Sequence, residues 1–285
     1  MKSDSYIYRQ TKILNIRGQL MDISTPRVMG ILNVTPDSFF EENRFTTETA
    51  ILAQTEKMLI EGASIIDIGG YSSRPEAEDI SIEEELSRTV NAVKLIAKRF
   101  PNAILSVDTF RSEVARQAFF EGASIINDIS GGELDAKMFS TVASLNIPYI
   151  IMHMRGTPQT MKTHTVYENI VKEITEYFQQ KISVLQNISI KDILIDPGFG
   201  FAKTTEQNFQ LLSHLDHFKI LRAPILVGLS RKSMIWKTLE TEPPDVLNGT
   251  TALNMVALIK GASILRVHDV REAVEVIKLY SVINI

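Results

Sequence analysis

Short apolar segments rich in β-branched residues alternate with longer amphipathic segments from Arg27 to the end of the chain. These two patterns predict eight strands, each followed by a helix. The predicted strands are Val28–Asn33, Ser64–Ile68, Ala103–Asp108, Ser124–Asp128, Tyr149–His153, Ile193–Asp196, Ile225–Gly228 and Ser263–Val267. The predicted helices are Thr47–Ile60, Ile82–Arg99, Ser112–Phe120, Asp135–Leu145, Val166–Gln186, Glu206–Leu215, Leu247–Lys260 and Val270–Ser281. Eight such units are typical of an α/β protein with a (β/α)8 TIM barrel.

A sequence repeat supports the same architecture. Glu61-Gly-Ala-Ser-Ile-Ile-Asp-Ile68 recurs from Glu121 with one residue inserted, and a shorter copy begins at Gly261. In each copy a glycine ends a helix and a short apolar strand follows. Repetition of this kind fits a closed barrel or an open doubly wound sheet. The number of units and the lack of a Gly-x-Gly-x-x-Gly motif favour the barrel.

The chain has 285 residues, a length that one barrel domain can use. We therefore predict a single barrel domain over residues 1–285, with residues 1–26 as an N-terminal extension. Two short strands about the turn Arg17-Gly18 form a β-hairpin that is expected to cap the barrel bottom. An ordered terminus without that role explains the same residues equally well.

Composition excludes several classes of protein. The formal net charge of -4 argues against a nucleic-acid surface, because no basic excess exists to neutralise phosphates. The absence of cysteine excludes disulfides and thiolate metal sites. Residues 1–12 lack the apolar run of a signal peptide, and no apolar stretch is long enough to span a membrane. A cytoplasmic protein without a membrane partner is the expectation.

Polar residues stand at or just beyond the carboxyl end of each predicted strand. In a parallel barrel these ends face one mouth, so the side chains would converge there. One such residue is more often a helix cap or turn former, but eight in register are hard to explain in that way. The sequence does not decide whether Asp67 and Asp128 contact a ligand or support other residues. It also does not decide whether His153 lines the mouth or is packed in the core.

The polar groups fall into two chemical sets. Asp108, Asn127, Asp196 and Lys232 could together bind the edge of a flat heterocycle that carries both donors and acceptors. Phosphate oxygens suit the second set, which is Asn33, Ser73, Arg74, Arg266 and His268. Mg²⁺ would prefer an oxygen ligand such as the Asn33 side chain. Because no activated nucleophile is evident, catalysis by positioning and leaving-group stabilisation is expected.

Seven segments around the strand ends occur in a characteristic order. They are Met29-Gly-Ile-Leu-Asn-Val-Thr-Pro-Asp-Ser-Phe39, Asp67-Ile-Gly-Gly-Tyr-Ser-Ser-Arg-Pro75, Ser106-Val-Asp-Thr109, Asn127-Asp-Ile-Ser-Gly131, Asp196-Pro-Gly-Phe-Gly-Phe201, Ser230-Arg-Lys-Ser233 and Arg266-Val-His-Asp-Val270. Each is weak alone, but the ordered set resembles the dihydropteroate synthase family from about residue 17 to the C-terminus.

This resemblance implies a transferase of folate biosynthesis. The family condenses 6-hydroxymethyl-7,8-dihydropterin diphosphate with p-aminobenzoate and releases pyrophosphate and 7,8-dihydropteroate. The resemblance also implies that Mg²⁺ binds near Asn33 and that sulfonamide inhibitors compete at the p-aminobenzoate pocket. It further implies a homodimer formed through the later helices. Mobile loops at Thr35–Phe39 and Ser72–Pro75 would close over the substrates.

The resemblance also assigns roles to residues. The pterin would be held by Asp108, Asn127, Asp196, Lys232 and Arg266, with the Arg266 guanidinium stacked on its face. The diphosphate would be held by Asn33, Ser73, Arg74, Arg266 and His268. The p-aminobenzoate pocket would be shaped by Ser73, Pro75, Phe199, Lys232 and Ser233. The expected catalytic residues are Asp108, Lys232, Arg266 and His268.

The charges of these residues suggest a mechanism. Arg266 and His268, with Mg²⁺, would stabilise the departing pyrophosphate while the pterin methylene becomes cation-like and the neutral aniline nitrogen attacks. The carboxylates of Asp108 and Asp196 would stabilise the developing positive charge.

The chain departs from the family pattern in both loops. In the first loop, Phe40-Glu-Glu-Asn-Arg44 stands where the family usually has a serine–aspartate–glycine–glycine type stretch. In the second loop, many relatives carry a residue other than tyrosine at the position of Tyr71 and a threonine at the position of Ser73. Two alternatives therefore stay open. A pterin-dependent methyltransferase module would share the barrel and the acids, although it would not need Arg266-x-His268. A non-catalytic pterin-binding relative is suggested only by the altered first loop.

Overall fold

The computed structural model describes residues 12–35, 44–73 and 79–283. The strands in these ranges are β1 Ile13–Ile16, β2 Gln19–Asp22, β3 Arg27–Asn33, β4 Ile65–Gly69, β5 Leu105–Asp108, β6 Ile125–Asp128, β7 Tyr149–Met152, β8 Ile193–Asp196, β9 Leu226–Val227 and β10 Ile264–Val267. The α-helices are α1 Arg44–Glu61, α2 Ile82–Arg99, α3 Ser112–Glu121, α4 Met138–Leu145, α5 Ile170–Asn187, α6 Thr205–Ser213, α7 Ser233–Thr238, α8 Leu247–Ile259 and α9 Val270–Ile283.

Strands β3 to β10 form one parallel sheet in the order β8-β7-β6-β5-β4-β3-β10-β9. A parallel bridge between Ile195 and Ile225 joins its two edges, and the Ile195 amide donates to the Pro224 carbonyl at 3.0 Å. The sheet therefore closes, and the predicted (β/α)8 barrel is confirmed. Strand β9 is shorter than predicted: it contains Leu226 and Val227 alone.

The sequence repeat marks three helix endings of the same kind. Gly62, Gly122 and Gly261 have φ values of 103°, 132° and 106°. The alanine after each glycine donates its amide to the carbonyl five residues back, at 2.9 Å in all three turns. These features define a Schellman ending, in which a side chain at the glycine would be strained. The repeated sequence thus corresponds to the same helix-to-strand turn at three places, before β4, β6 and β10.

The predicted N-terminal hairpin closes the bottom of the barrel. Strands β1 and β2 pair antiparallel about Arg17 and Gly18, whose φ values of 52° and 85° are those of a type I′ turn. Leu14 and Ile16 are buried against interior side chains at the amino ends of the barrel strands. Those side chains are Met29, Ile65, Ile125, Ile150, Leu194, Leu226 and Ile264.

Two helices begin later than their sequences predict, because local polar groups end the preceding loop. Helix α5 begins at Ile170 rather than Val166, since the Asn169 side chain caps the Lys172 amide at 3.1 Å. Helix α4 begins at Met138 rather than Asp135, whose carboxylate accepts from the Lys137 and Ser112 amides. None of the helices in the described ranges is long and apolar enough to cross a membrane.

Candidate active site

Alternation along the barrel strands directs polar side chains into the upper interior. Residues two apart on a strand share a face, so each apolar residue of the bottom layer is followed by a residue nearer the mouth. The bottom residues Ile65, Ile125, Leu194 and Ile264 are followed by Asp67, Asn127, Asp196 and Arg266, respectively. Asp108 follows the buried Ser106 on β5 in the same way.

Arg266 lies at the centre of a buried hydrogen-bonded network. Its Nε donates to Asp67 Oδ2 at 2.6 Å, and its Nη2 donates to Asp108 Oδ2 at 2.7 Å. Asn127 Nδ2 donates to the same Asp67 oxygen at 3.0 Å. Asp67 is fully buried, and its Oδ1 has no hydrogen-bond partner among the described residues. Asp67 therefore orients two of the predicted pterin ligands and is a supporting residue.

The buried charges shift one another's protonation. Burial raises the pKa of Asp108 to about 7, against the opposing effect of Arg266 and with a further rise from Asp67. Burial also raises the pKa of Asp196, which Lys232 opposes. The pKa of Lys232 is lowered to about 8 by burial, although Asp196 acts in the other direction. The site therefore holds an acid and a base whose pKa values lie near neutrality.

Lys232 contacts the loop that follows β8. Its Nζ donates to the Phe199 carbonyl and lies 4.7 Å from the centre of the Phe201 ring. Asp196, at the end of the same strand, accepts from the Gly198 amide at 2.8 Å. The ammonium, the aromatic ring and the carboxylate therefore form one wall of the barrel mouth.

The loops after β9 and β10 are tied together. Ser230 Oγ lies 2.9 Å from His268 Nδ1 and accepts from the His268 amide at 3.2 Å. Arg231 donates to both carboxylate oxygens of Asp269, at 3.1 and 2.6 Å. The two contacts fix the positions of the loops that carry Lys232 and His268.

Asn33 lies at the mouth beside β4. A Cβ added at Gly69 would lie 3.6 Å from Asn33 Oδ1 and 3.9 Å from Asp108 Oδ2. A side chain at Gly69 would therefore lie between the Asn33 oxygen and the Asp108 carboxylate at the strand ends.

A cavity opens at this mouth. It is lined by Ser73, Asp108, Asn127, Ile129, Met152, Asp196, Phe201, Gly228, Lys232 and Arg266. All five predicted pterin ligands therefore surround one cavity. A larger groove lies on the outer surface beside α5 and α6, where His214 and His217 are exposed, away from these polar groups.

The structure corrects one predicted lining residue. The Phe199 side chain is fully buried in the core between strands and helices, and only its carbonyl faces Lys232. Phe201, two residues later, lines the cavity instead. The intervening Gly200 has a φ of 80°, so the simple alternation of a strand does not apply here. The repeated Gly-Phe pattern signalled an aromatic lining but not which phenylalanine supplies it.

The remaining predicted residues occupy different places. Ser73 lines the cavity, His268 is exposed at the mouth and Ser233 is the first residue of α7. Arg74, Pro75 and all of the first loop beyond Thr35 up to Asn43 lie outside the described residues.

Two residues that the sequence left open have supporting roles. Asp128 points away from the cavity and accepts from Ser130, Gly132 and Tyr149. His153 is buried and packs edge-on against the Tyr177 ring, with centroids 4.9 Å apart. The packed interpretation of His153 is therefore the one that the structure supports.

Comparisons with known proteins agree with this geometry. The model of a family described as pterin binding enzyme matches residues 29–268. Dihydropteroate synthase of Escherichia coli strain K12 is 41% identical over 269 residues, which covers 92% of this chain and 93% of that protein.

Solved structures show the same barrel. Yersinia pestis dihydropteroate synthase in a sulfonamide drug complex has a TM-score of 0.89 and 39% identity, covering 95% of this chain and 99% of that chain. Xanthomonas albilineans dihydropteroate synthase with 4-aminobenzoic acid also has a TM-score of 0.89, with 37% identity, covering 96% and 98% of the two chains.

The barrel, the converging polar residues and the family match place this chain among the pterin-binding enzymes. Within that class, it belongs to the dihydropteroate synthase family, and the resemblance seen in its motifs is confirmed. Members of this family are transferases of folate synthesis.

Proposed function

We propose that this chain condenses 6-hydroxymethyl-7,8-dihydropterin diphosphate with p-aminobenzoate in the cavity at the barrel mouth. The observation that carries the proposal is the set of five polar side chains around one cavity, with Arg266 held between Asp67 and Asp108. This arrangement offers acceptors, donors and a planar cation to a flat heterocycle.

The pterin half of the cavity is polar. The carboxylate of Asp196, buried beside Asn127, is suited to accept two N–H bonds from the amino-pyrimidinone edge. Lys232, on the same wall as Asp196, is suited to donate to a ring oxygen or nitrogen. Because Arg266 is bonded on its edge by two carboxylates, its planar face remains available for stacking on the pterin.

The p-aminobenzoate half lies towards Ser73 and Phe201, which line the same cavity as Lys232. We assign Phe201 the role that the sequence had suggested for Phe199. Ser233, the first residue of α7, keeps its predicted role at this end, and the role of Pro75, which lies outside the described residues, stays a prediction. Sulfonamide inhibitors would compete here, in keeping with the sulfonamide bound by the Yersinia pestis relative.

The diphosphate would lie at the outer rim, near Asn33, Ser73, Arg266 and His268, and Arg74, which lies outside the described residues, stays a predicted partner. Mg²⁺ commonly keeps several waters and binds substrate phosphates with only one or two protein oxygens. The Asn33 oxygen, at the barrel mouth, fits that pattern. Bound there, Mg²⁺ would neutralise charge on the diphosphate.

The proposed reaction breaks the bond between the pterin methylene carbon and the diphosphate oxygen. Arg266 and His268 stabilise the negative charge that develops on the pyrophosphate. Asp108 and Asp196 stabilise the positive charge that develops on the pterin methylene. The neutral aniline nitrogen then bonds to that carbon and loses a proton, which gives 7,8-dihydropteroate.

The test is pyrophosphate release by the purified protein. Turnover that requires the pterin diphosphate, p-aminobenzoate and Mg²⁺ together, with dihydropteroate as product, is the expected result. Asp108→Asn should lower kcat by about 100-fold or more, because charge stabilisation of the transition state is lost. Exposed Asp245→Asn is the control. Unchanged turnover in Asp108→Asn would contradict the electrostatic role, and pterin binding without turnover would favour the non-catalytic relative.

We also propose that two copies of the chain associate through α8 and α9. These neighbouring helices expose five large apolar side chains, Val256, Ile259, Leu279, Val282 and Ile283. Exposed apolar side chains grouped in this way are typical of protein–protein interfaces.

A further inference from the structure

A buried lysine, Lys203, lies beneath the loop that forms the Phe201 wall of the cavity. It is 9% exposed, and its Nζ lies 3.0 Å from the Gly198 carbonyl and 2.9 Å from the Phe201 carbonyl. The same Nζ lies 3.1 Å from His153 Nδ1 and 3.4 Å from the His153 carbonyl. No predicted role in substrate binding or catalysis includes this residue.

Burial lowers the pKa of Lys203 well below its ordinary value and Asp196 opposes that shift, but the contacts of Lys203 match those of a protonated lysine. An ammonium has three N–H donors, and the two loop carbonyls and the imidazole nitrogen supply three acceptors. Burial lowers the pKa of His153 well below its ordinary value, and the nearby Lys203 acts in the same direction, so the ring is neutral and its Nδ1 can accept. A neutral aliphatic side chain at this position would remove the Lys203 donor from all three acceptors, and the Gly198 carbonyl would keep only its bond from the Phe201 amide.

The loop that Lys203 binds has an unusual backbone. Gly198, Gly200 and Ala202 have φ values of 73°, 80° and 50°, so left-handed residues alternate with Phe199 and Phe201. A Cβ added at Gly198 would lie 2.1 Å from the His153 carbonyl oxygen, which shows how closely the loop approaches β7. Carbonyls on its inner side therefore turn towards one ammonium.

The outer side of the same loop faces the cavity. There the Phe201 ring lines the cavity and the Phe199 carbonyl accepts from Lys232. The inner contacts on Gly198 and Phe201 thus set the height and tilt of the cavity wall. A shift of about 1 Å at such a wall can cost a large factor in rate.

We propose that Lys203 is a positioning residue that holds the 197–203 loop, and through Phe201 and the Phe199 carbonyl sets the binding of p-aminobenzoate rather than of pterin. The inference rests on the proposed function, which places the aryl substrate against Phe201. Asp196 is part of β8 and its backbone is held by that strand, so the pterin end depends less on the lysine, although burial raises the pKa of Asp196 and the charge of Lys203 acts to lower it.

The experiment measures KM for each substrate in Lys203→Gln, Phe201→Ala, the double variant and an exposed control, Lys172→Met. Lys203→Gln should raise the KM for p-aminobenzoate by about 10-fold or more, with less than about a 3-fold change for the pterin diphosphate. Because both residues act on one wall, the double variant should raise the KM for p-aminobenzoate by less than the product of the two single effects. Lys203→Arg, which keeps a cation, should restore part of the affinity.

Each other outcome overturns the proposal. Equal changes in both KM values together with a lower Tm, or independent effects in the double variant, would make Lys203 a purely structural residue. The same conclusion follows if neither Lys203→Gln nor Lys203→Arg gives a folded protein. Failure of the proposed function is seen separately, as absent turnover in the unmodified chain or as an unchanged p-aminobenzoate KM in Phe201→Ala alone.

Discussion

Two carboxylates, Asp67 and Asp108, share the Arg266 guanidinium at the base of the cavity. Burial acts to lower the pKa of Arg266, but these two acids outweigh it and raise that pKa. Asp67 also binds Asn127, whereas Asp108 faces the cavity. Asp108 therefore combines a position at the ligand with a protonation equilibrium near neutral pH.

The raised pKa of Asp108 predicts a pH dependence of stability. Its folded value of about 7 exceeds the ordinary 3.8, so folding takes up a proton between these values. The stabilising contribution is full below about pH 4 and is lost as the pH rises through 7. Relative to Asp108→Asn, the ligand-free chain should lose up to about 1.4 kcal/mol of unfolding free energy per pH unit in that range.

Urea denaturation at intervals between pH 5 and pH 8 provides the measurement, with exposed Asp245→Asn as the matched control. The control should follow the unmodified chain at every pH. Parallel curves for the unmodified chain and Asp108→Asn would show that Asp108 is ionised throughout, with Arg266 and not burial dominating its environment.

The N-terminal hairpin and the site occupy opposite ends of the barrel. Leu14 is fully buried against the bottom layer, whereas Leu20 on the same hairpin is 73% exposed. Arg17 at the turn donates to the Phe119 and Ala123 carbonyls at 2.6 and 2.7 Å, which docks the hairpin beside α3. The hairpin therefore contributes to stability without contacting the cavity.

This arrangement predicts different effects for two leucines on one hairpin. Leu14→Ala should lower the unfolding free energy by about 2–4 kcal/mol, because it leaves a cavity between the hairpin and the apolar layer at the barrel bottom. Leu20→Ala should change it by less than about 0.5 kcal/mol, since its side chain is already exposed. Urea denaturation measures both, and kcat in folded samples should be unchanged. A similar loss in the two variants would mean that the hairpin does not seal the barrel.

At the scale of the whole molecule, the amino ends of the strands serve stability and the carboxyl ends serve function. The apolar seal lies below, and the charged network lies above it on the same strands. The outer helices cover the barrel, and the apolar patch on α8 and α9 lies on that outer layer. Association through this patch would leave the mouth accessible to substrates.

The patch predicts an assembly that can be broken without loss of the fold. Ile259→Asp combined with Leu279→Asp should convert a dimer into a monomer, because both side chains are more than half exposed in a single chain and would be buried between copies. Sedimentation velocity gives the mass. Val166→Asp, at a side chain 82% exposed elsewhere, is the control and should stay dimeric. A monomer before substitution would contradict the assembly.

Much of the site could be predicted from the sequence because the fold has a strict periodicity. Once the strands were located, the alternation of side chains and the common direction of the strands placed Asp108, Asn127, Asp196 and Arg266 at one mouth. The turn at Arg17-Gly18 and the three helix-ending glycines were equally local, since a left-handed backbone is encoded by the residues that adopt it.

Only the tertiary structure decided the contacts made by residues that are distant along the chain. The roles of Asp67 and Lys203 depend on partners from other strands and loops, and Phe201 replaced Phe199 because the loop between them leaves strand geometry. Periodicity states which way a side chain points within an element. It does not state what lies opposite, which is set by the closure of the barrel and by packing between loops.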